Sequence, residues 1–455
     1  MSKNTILLFY GLFSDDQSYD WAPYGLLYLA AKLKEKNFNP IIIHEYTNRN
    51  YEEIIAKYAK DTLAFGVSAM TNYQIISGIK AIKLFKKYNS NAQVVWGGAH
   101  ATADPKSILQ SEYADYAIIG PGINNFIDLV QNISENKIEI DIPYIYDKQH
   151  LHLITENVPR VSVKDSIYDL TNFPEFPFDL IEYDKLLTEN RVLNYTGSFG
   201  CPNNCHFCSW GGFHLWNGLS TNRVIEDITY LVKKYNLRSL WFSDATLCYK
   251  RDFLLEIAEG ILKNNLNIYW RGNASFLDLK NLSYDDFALL ERSGFDRFFV
   301  GVENTSQNIL KAMNKRIDPD LCTEIFDTLK DFKIEIMTSM IFENPSENIE
   351  DIEINRKYID KWMKINPNYR FQSCFFIPYP GTKMTKFVES LGYRSPVTLE
   401  EYGLSPYFQV ATRSKIEKAD WHSEEFSQIY KDKFNKLFPD FNNYSAPNWN
   451  WRDNA

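Results

Sequence analysis

At 455 residues the chain is too long for one ordinary core, and two or three domains are expected. Hydrophobic residues make up 45% and charged residues 24%, the balance of a globular protein, and no apolar run nears the ~20 residues that cross a bilayer. A net charge of −9 spread along the chain excludes a general polyanion-binding surface, so neither nucleic acid nor membrane is expected as a partner.

Strand and helix signals alternate over the first 130 residues, the pattern of a doubly wound parallel sheet. Strands are expected at Thr5–Tyr10, Asn39–His44, Leu63–Val67, Gln93–Trp96 and Tyr116–Ile119, with helices at Tyr24–Lys36, Tyr51–Ala59, Asn72–Tyr88 and 124–132. The opening apolar run Ile6–Tyr10 is too short for a secretory segment. With only six cysteines, this points to a reducing, cytoplasmic setting. Glycines follow several strands, in Gly66-Val67-Ser68, Gly97-Gly98 and Gly120-Pro121-Gly122. Ligands of such sheets bind beyond the carboxyl ends of the strands, where glycine lets backbone approach them. Residues 141–190 are polar and irregular. The run Phe173-Pro174-Glu175-Phe176-Pro177 breaks helix and ladder alike, so this stretch reads as a bridge between domains.

A β-prone run, Val192–Ser198, leads into Cys201-Pro202-Asn203-Asn204-Cys205-His206-Phe207-Cys208. Three thiols in so short a loop suit a soft metal or an iron–sulfur cluster. A [4Fe–4S] cube held by three cysteines keeps one iron open to a small molecule. Zinc on Cys201, Cys205, Cys208 and His206 is the competing reading, but adjacent residues rarely reach around one tetrahedral ion. A disulfide framework fits less well still.

From 191 to about 390 the alternation resumes with longer helices. Six strands are expected, at Val192–Ser198, Arg238–Ser243, Asn267–Arg271, Arg297–Val302, Glu335–Ile341 and Arg370–Ile377. Six βα units make a partial barrel, with chemistry at the strand C-termini. Those ends carry Asp244, Arg271, Gly301 and Glu303. Cys248, Cys322 and Cys374 are scattered and read as small buried hydrophobes. Residues 391–455 read as a mainly helical cap, with Trp449 and Trp451 in a polar run.

The C-x3-C-x2-C spacing and the aromatic Phe207 before the last cysteine resemble the radical S-adenosylmethionine (radical SAM) signature. Gly301-Val302-Glu303-Asn304 is similar to that family's G-V-E-S, and Pro378-Tyr379-Pro380-Gly381-Thr382 to its P-x-P-G-T turn. Glu343-Asn344-Pro345-Ser346-Glu347 resembles G-x-P-x-E with Glu343 in the place of glycine. The ordered loops of residues 1–140 resemble the cobalamin-binding domain that precedes one class of these enzymes. They depart from it at Pro121 and Ile123, where acidic residues are usual, and in lacking a D-x-H-x-x-G run.

The resemblance implies four parts: a Rossmann-like cobalamin-binding domain (1–140), a linker (141–190), a partial (β/α)6 radical SAM barrel (191–390) and a C-terminal cap (391–455). It also implies that Cys201, Cys205 and Cys208 hold a [4Fe–4S] cluster, with Phe207, Asp244, Arg271, Gly301 and Glu303 around S-adenosyl-L-methionine (SAM). Ser68, Gly97, Gly98, Gly120 and Gly122 would then line a cobalamin cavity. The implied activity is a 5′-deoxyadenosyl radical made from SAM and, in this class, methyl transfer to an unactivated carbon of a small molecule. Rearrangement, cyclisation or oxidation without methyl transfer is the alternative, and a non-catalytic cofactor protein the reading from another class. An external electron donor such as flavodoxin or ferredoxin is implied as partner.

Overall fold

The computed structural model describes residues 4–15, 17, 20–137, 142–154, 170, 172–209, 215–409 and 419–439. Two parallel sheets organise it. In the first, β1 (Thr5–Tyr10), β2 (Asn39–His44), β3 (Thr62–Ser68), β4 (Gln93–Gly97), β5 (Tyr116–Ile118) and β6 (Ile145–Asp147) lie in the order β2-β1-β3-β4-β5-β6. The first five are parallel, and β6 pairs antiparallel with β5. That order is the flavodoxin-like doubly wound one. Ile6, Leu7, Leu8 and Phe9 are all fully buried, because helices cover both faces of a parallel sheet and its central strands become continuous apolar runs. Phe65 stacks between Phe9 and Phe85, with centroids 6.2 and 4.7 Å apart, which joins strand to helix across the core.

The second sheet contains β7 (Val192–Tyr195), then, after the two-residue strands β8 (Ser198–Phe199) and β9 (Asn217–Gly218), β10 (Ser239–Phe242), β11 (Tyr269–Ala274), β12 (Phe295–Glu303), β13 (Glu335–Phe342) and β14 (Arg370–Phe375). Its order, β14-β13-β12-β11-β10-β7, follows the sequence with every pair parallel. Helices Thr221–Tyr235, Arg251–Lys263, Tyr284–Arg292, Pro319–Leu329 and Ile349–Ile365 alternate with the strands. The sheet stays open between β7 and β14, so this is a partial (β/α)6 barrel.

Two elements differ from the sequence reading. The run Val192–Ser198 is not one strand: Gly197 N–H donates to Asp244 and its carbonyl accepts from Leu219, so the chain leaves the sheet there and re-pairs as β8 with β9. The three-residue strand β6 falls inside the stretch read as irregular, because so short a strand carries no periodicity.

The chain forms two compact units. One comprises Met1–Leu186 with Tyr379–Thr385 and Arg394–Thr412, the other Leu187–Pro378 with Lys386–Tyr393 and Arg413–Ala455. Residues 141–186 therefore belong to the first unit, and the stretch read as one cap is shared between both. In the first unit helix Leu399–Leu404 lies on helix Gln74–Tyr88, where a Cβ on Gly403 would press on Ile76 at 2.8 Å. In the second, Phe342 of β13 packs on Phe434 and Phe438 of and beyond helix Glu424–Leu437. Trp449 and Trp451 lie outside the described residues. No helix among the described residues is long and apolar enough to cross a membrane.

Candidate active site

The cysteine loop follows β8, at the carboxyl end of the first barrel strand. No disulfide involves Cys201, Cys205 or Cys208, and each is half-buried. Burial raises the pKa of the Cys201 and Cys205 thiols, and Lys315 acts against it at both. Cys208 N–H closes a turn on the Cys205 carbonyl at 3.3 Å. The loop is also tied to the turn that follows helix Gln307–Ala312. His206 N–H donates to the Met313 carbonyl (2.9 Å), His206 Nδ1–H to that of Ala312 (2.9 Å), and Asn314 Nδ2 to that of Asn204 (2.6 Å).

Lys315, next along that turn, bonds Glu303 Oε1 at 3.1 Å, while Ser339 Oγ donates to Glu303 Oε2 at 2.8 Å. Burial alone would lower the pKa of the Lys315 ammonium, but Glu303, Cys205 and Cys208 outweigh it and hold the value above that of an ordinary lysine. A half-buried cation is thus kept charged beside two of the three thiols. Glu303 closes β12 with φ 68°, a left-handed conformation that costs a non-glycine residue about 1–3 kcal/mol. Its carboxylate folds back over Gly301, where a Cβ would collide with it. Glycine at 301 therefore makes room for the chain's own glutamate.

Asp244 is fully buried, and burial pushes its pKa up to about 6 despite bonds from Ser198 Oγ and Gly197 N–H. It fixes the strand leading to Cys201. Arg271 is not brought to this end of the sheet. It is buried in an ion pair with Asp296 near the start of β12, about 20 Å below Glu303 at ~3.3 Å per strand residue. A β-strand's alternation does not reveal that an arginine points at a neighbouring strand's first turn instead of past its last. Phe207 is half-buried in the cysteine loop. Glu343, standing where the resembled motif has glycine, has φ 56°. Tyr430 OH accepts from its N–H and Trp421 Nε1 donates to its carbonyl, which hold that conformation.

Lys315, Ser339 and Asn314 were missed by sequence reasoning, and His206 was weighed only as a zinc ligand. Ala312 and His206 lie 106 positions apart, and no local signal pairs them.

In the first unit the loops beyond β3, β4 and β5 are laced together. His100 N–H bonds the Ala69 carbonyl (3.0 Å), Thr102 Oγ1 the Gly98 carbonyl (2.9 Å), and Gly120 N–H bonds Thr102 Oγ1 (3.0 Å). Gly98 (φ 89°) and Gly120 (φ 81°) are left-handed. A Cβ at Gly98 would meet Ala69 O at 2.9 Å, whereas one at Gly97 would meet nothing within 4 Å. Ser68 ends β3 opposite Gly97, and Gly122 precedes helix Ile123–Ser134. Both ring nitrogens of His100 are engaged, by Thr71 Oγ1 at 3.0 Å and Ser107 Oγ at 3.3 Å, and burial lowers its pKa to about 4.

The donor set fits a [4Fe–4S] cube. Among the described residues no three His, Cys, Asp or Glu side chains converge closely enough for a single metal ion. A cube asks for less, because each thiolate binds its own iron. At Gly97 the backbone is likewise open, with nothing within 4 Å of where a Cβ would stand.

Comparison with known proteins agrees. The radical SAM superfamily model matches residues 195–359 and the B12 binding domain model residues 16–130. The chain is a radical SAM protein with a B12-binding domain. Among relatives of this radical SAM protein, an uncharacterized methyltransferase of Pyrococcus horikoshii is 26% identical over 80% of this chain and 78% of its own. The anaerobic magnesium-protoporphyrin IX monomethyl ester cyclase of Rubrivivax gelatinosus is 22% identical over 92% and 76%. The radical SAM methyltransferase TsrM from Kitasatospora setae, solved with cobalamin and a [4Fe–4S] cluster, shares the fold at TM-score 0.70 and 16% identity, over 87% of this chain and 80% of that one. The cobalamin-dependent enzyme OxsB shares it at 0.66 and 16%, over 78% and 52%.

Proposed function

We propose that this radical SAM protein is a cobalamin-dependent methyltransferase acting on an unactivated carbon of a small molecule. One observation carries the reading: a single chain joins a B12-binding domain to a radical SAM barrel whose first strand leads into three cysteines in one loop, none of them in a disulfide. The methyltransferases among its relatives lend it the same direction. When bound, the cluster supplies the electron that opens SAM's sulfonium bond and cobalamin supplies the methyl group; the chain supplies position and exclusion of water.

Cys201, Cys205 and Cys208 hold the cluster. Glu303 and Lys315 form a pair of opposite charges at the strand end nearest it, and the amino-acid end of SAM is itself an ammonium and a carboxylate. The pair exchanges partners on binding, with Glu303 taking the ammonium and Lys315 the carboxylate. Asp244 holds the strand ahead of Cys201, and Phe207 flanks the cluster. Ser68, Gly97, Gly98, Gly120 and Gly122 line the cobalamin cavity. His100 would not be among the residues that hold cobalamin by ligation, since both its ring nitrogens are engaged by Thr71 and Ser107. The electron comes from a reduced flavodoxin or ferredoxin in the cytoplasm, where the thiols stay reduced.

A second reading, oxidation or ring closure without methyl transfer, draws on the cyclase relative that covers 92% of this chain. Incubating the reduced, cluster- and cobalamin-loaded protein with SAM and candidate substrates separates the two. S-adenosylhomocysteine and 5′-deoxyadenosine in equal amounts support methyl transfer. 5′-Deoxyadenosine alone supports the second reading.

A further inference from the structure

Helix Gln307–Ala312 ends in a Schellman motif. Lys315 N–H bonds the Leu310 carbonyl at 2.9 Å, Asn314 N–H the Lys311 carbonyl at 3.1 Å, and Asn314 takes φ 51°. That motif leaves the last two carbonyls, of Ala312 and Met313, without a helical partner. Both are satisfied by one residue of the cysteine loop: His206 gives its backbone N–H to Met313 and its ring Nδ1–H to Ala312. A carbonyl only accepts, so the ring proton sits on Nδ1. Asn314 returns a third bond, from Nδ2 to the Asn204 carbonyl. The three bonds flank Cys205 on both sides, and the residue after Asn314 is Lys315, bonded in turn to Glu303.

We propose that His206 is a positioning residue that docks the cysteine loop onto the C-terminal end of helix Gln307–Ala312, so that the three thiols, Lys315 and Glu303 are held as one piece before any cofactor binds. The zinc reading gave this histidine a ligand's role. Here its Nδ1 is committed to the Ala312 carbonyl, and that hydrogen bond is the contact that docks the loop. The helix end suits the task, because its free carbonyls carry the negative pole of the helix dipole and favour a strong donor. The loop thereby avoids the entropy of ordering eight residues at the moment the cluster assembles. This inference rests on the reading of Cys201, Cys205 and Cys208 as cluster ligands.

Three variants test it. His206→Phe keeps ring bulk and removes the ring donor. His206→Asn places an amide Nδ2 where Nδ1 stood and restores it. Asn314→Gly keeps the left-handed backbone and removes only the bond to Asn204. Full-length protein reconstituted anaerobically is challenged with a ferrous chelator, and iron release is followed optically. The reduced cluster's paramagnetic resonance spectrum is recorded alongside. His206→Phe and Asn314→Gly should each lose iron about fivefold faster than the parent, the order expected for one buried hydrogen bond. His206→Phe should also show a shifted, broadened resonance, and His206→Asn should match the parent in both. Amide hydrogen exchange of residues 203–208 in metal-free protein should speed up in the same two variants. Parent-like iron release and exchange in both, or a His206→Asn variant that behaves as His206→Phe, overturns the proposal. A parent that takes up no iron and sulfide instead overturns the cluster reading, while the exchange measurement still decides on the dock.

Discussion

At the scale of single residues, the buried charges of the barrel mouth divide into those held ready and those consumed. Glu303 and Lys315 balance each other beside the cysteines, a buried pair whose separate halves are costly to strand. Glu303→Ala is therefore expected to weaken SAM binding by ~1.5–3 kcal/mol while the cluster is retained. Titration with SAM checks it, and unchanged affinity reassigns Glu303 to a structural pair. Glu347 is of the other kind. It accepts from Tyr430 OH at 2.9 Å, Asn344 N–H at 3.0 Å and Asn304 Nδ2 at 3.2 Å, yet burial pushes its pKa up to about 8. The folded protein holds this proton between the ordinary carboxylate value and about pH 8, where the unfolded chain has released it. Stability is thus highest below that window and falls as pH rises through it. Glu347→Gln, which cannot ionise, should flatten that fall. A thermal-unfolding series over the window that is identical in parent and variant removes Glu347 from the account.

At the scale of elements, the shape of the strand ends and of the loops after them depends on a few backbone conformations. Gly98 is the clearest case. Its φ of 89° and the 2.9 Å approach to Ala69 O leave no room for a side chain. Gly98→Ala should cost about 1–3 kcal/mol of stability in the first unit. It should also weaken cobalamin retention, since the same loop holds His100 and Thr102 in place for Ala69 and Gly120. Calorimetry with and without cobalamin reads both effects. An unfolding temperature equal to the parent's would mean that the loop re-forms around the new methyl group. Pro121 has no N–H to offer a ligand, but Gly120 N–H is already used within the protein, on Thr102 Oγ1.

At the scale of the whole molecule, two units each build their own sheet and their own strand-end site. Each binding function should then be removable alone. Cys201→Ala should lose the cluster, because two thiolates do not hold a cube against solvent, and should still bind cobalamin. Gly98→Ala should keep its iron and sulfide while losing cobalamin. Metal analysis and the visible spectrum of each variant check this. Simultaneous loss of both cofactors in either variant would mean that the units fold as one.

What the sequence by itself determined is whatever repeats along it. Alternating apolar runs and helical faces laid out both sheets, because period and burial are local properties of a chain. Cys201, Cys205 and Cys208 stood out for a related reason: three thiols within eight positions need no fold to bring them together. The positions of Glu303 and of Gly97 at strand ends followed from the same periodicity. Tertiary structure alone decided the rest. It took Arg271 away to Asp296 and brought Ser339 to Glu303 across neighbouring strands. It also set Lys315 beside Cys205 and His206 against a helix end 106 positions away. Such pairings depend on strand register and on which carbonyls a helix leaves unsatisfied. Both are settled only when the elements pack, and no single stretch of sequence records them.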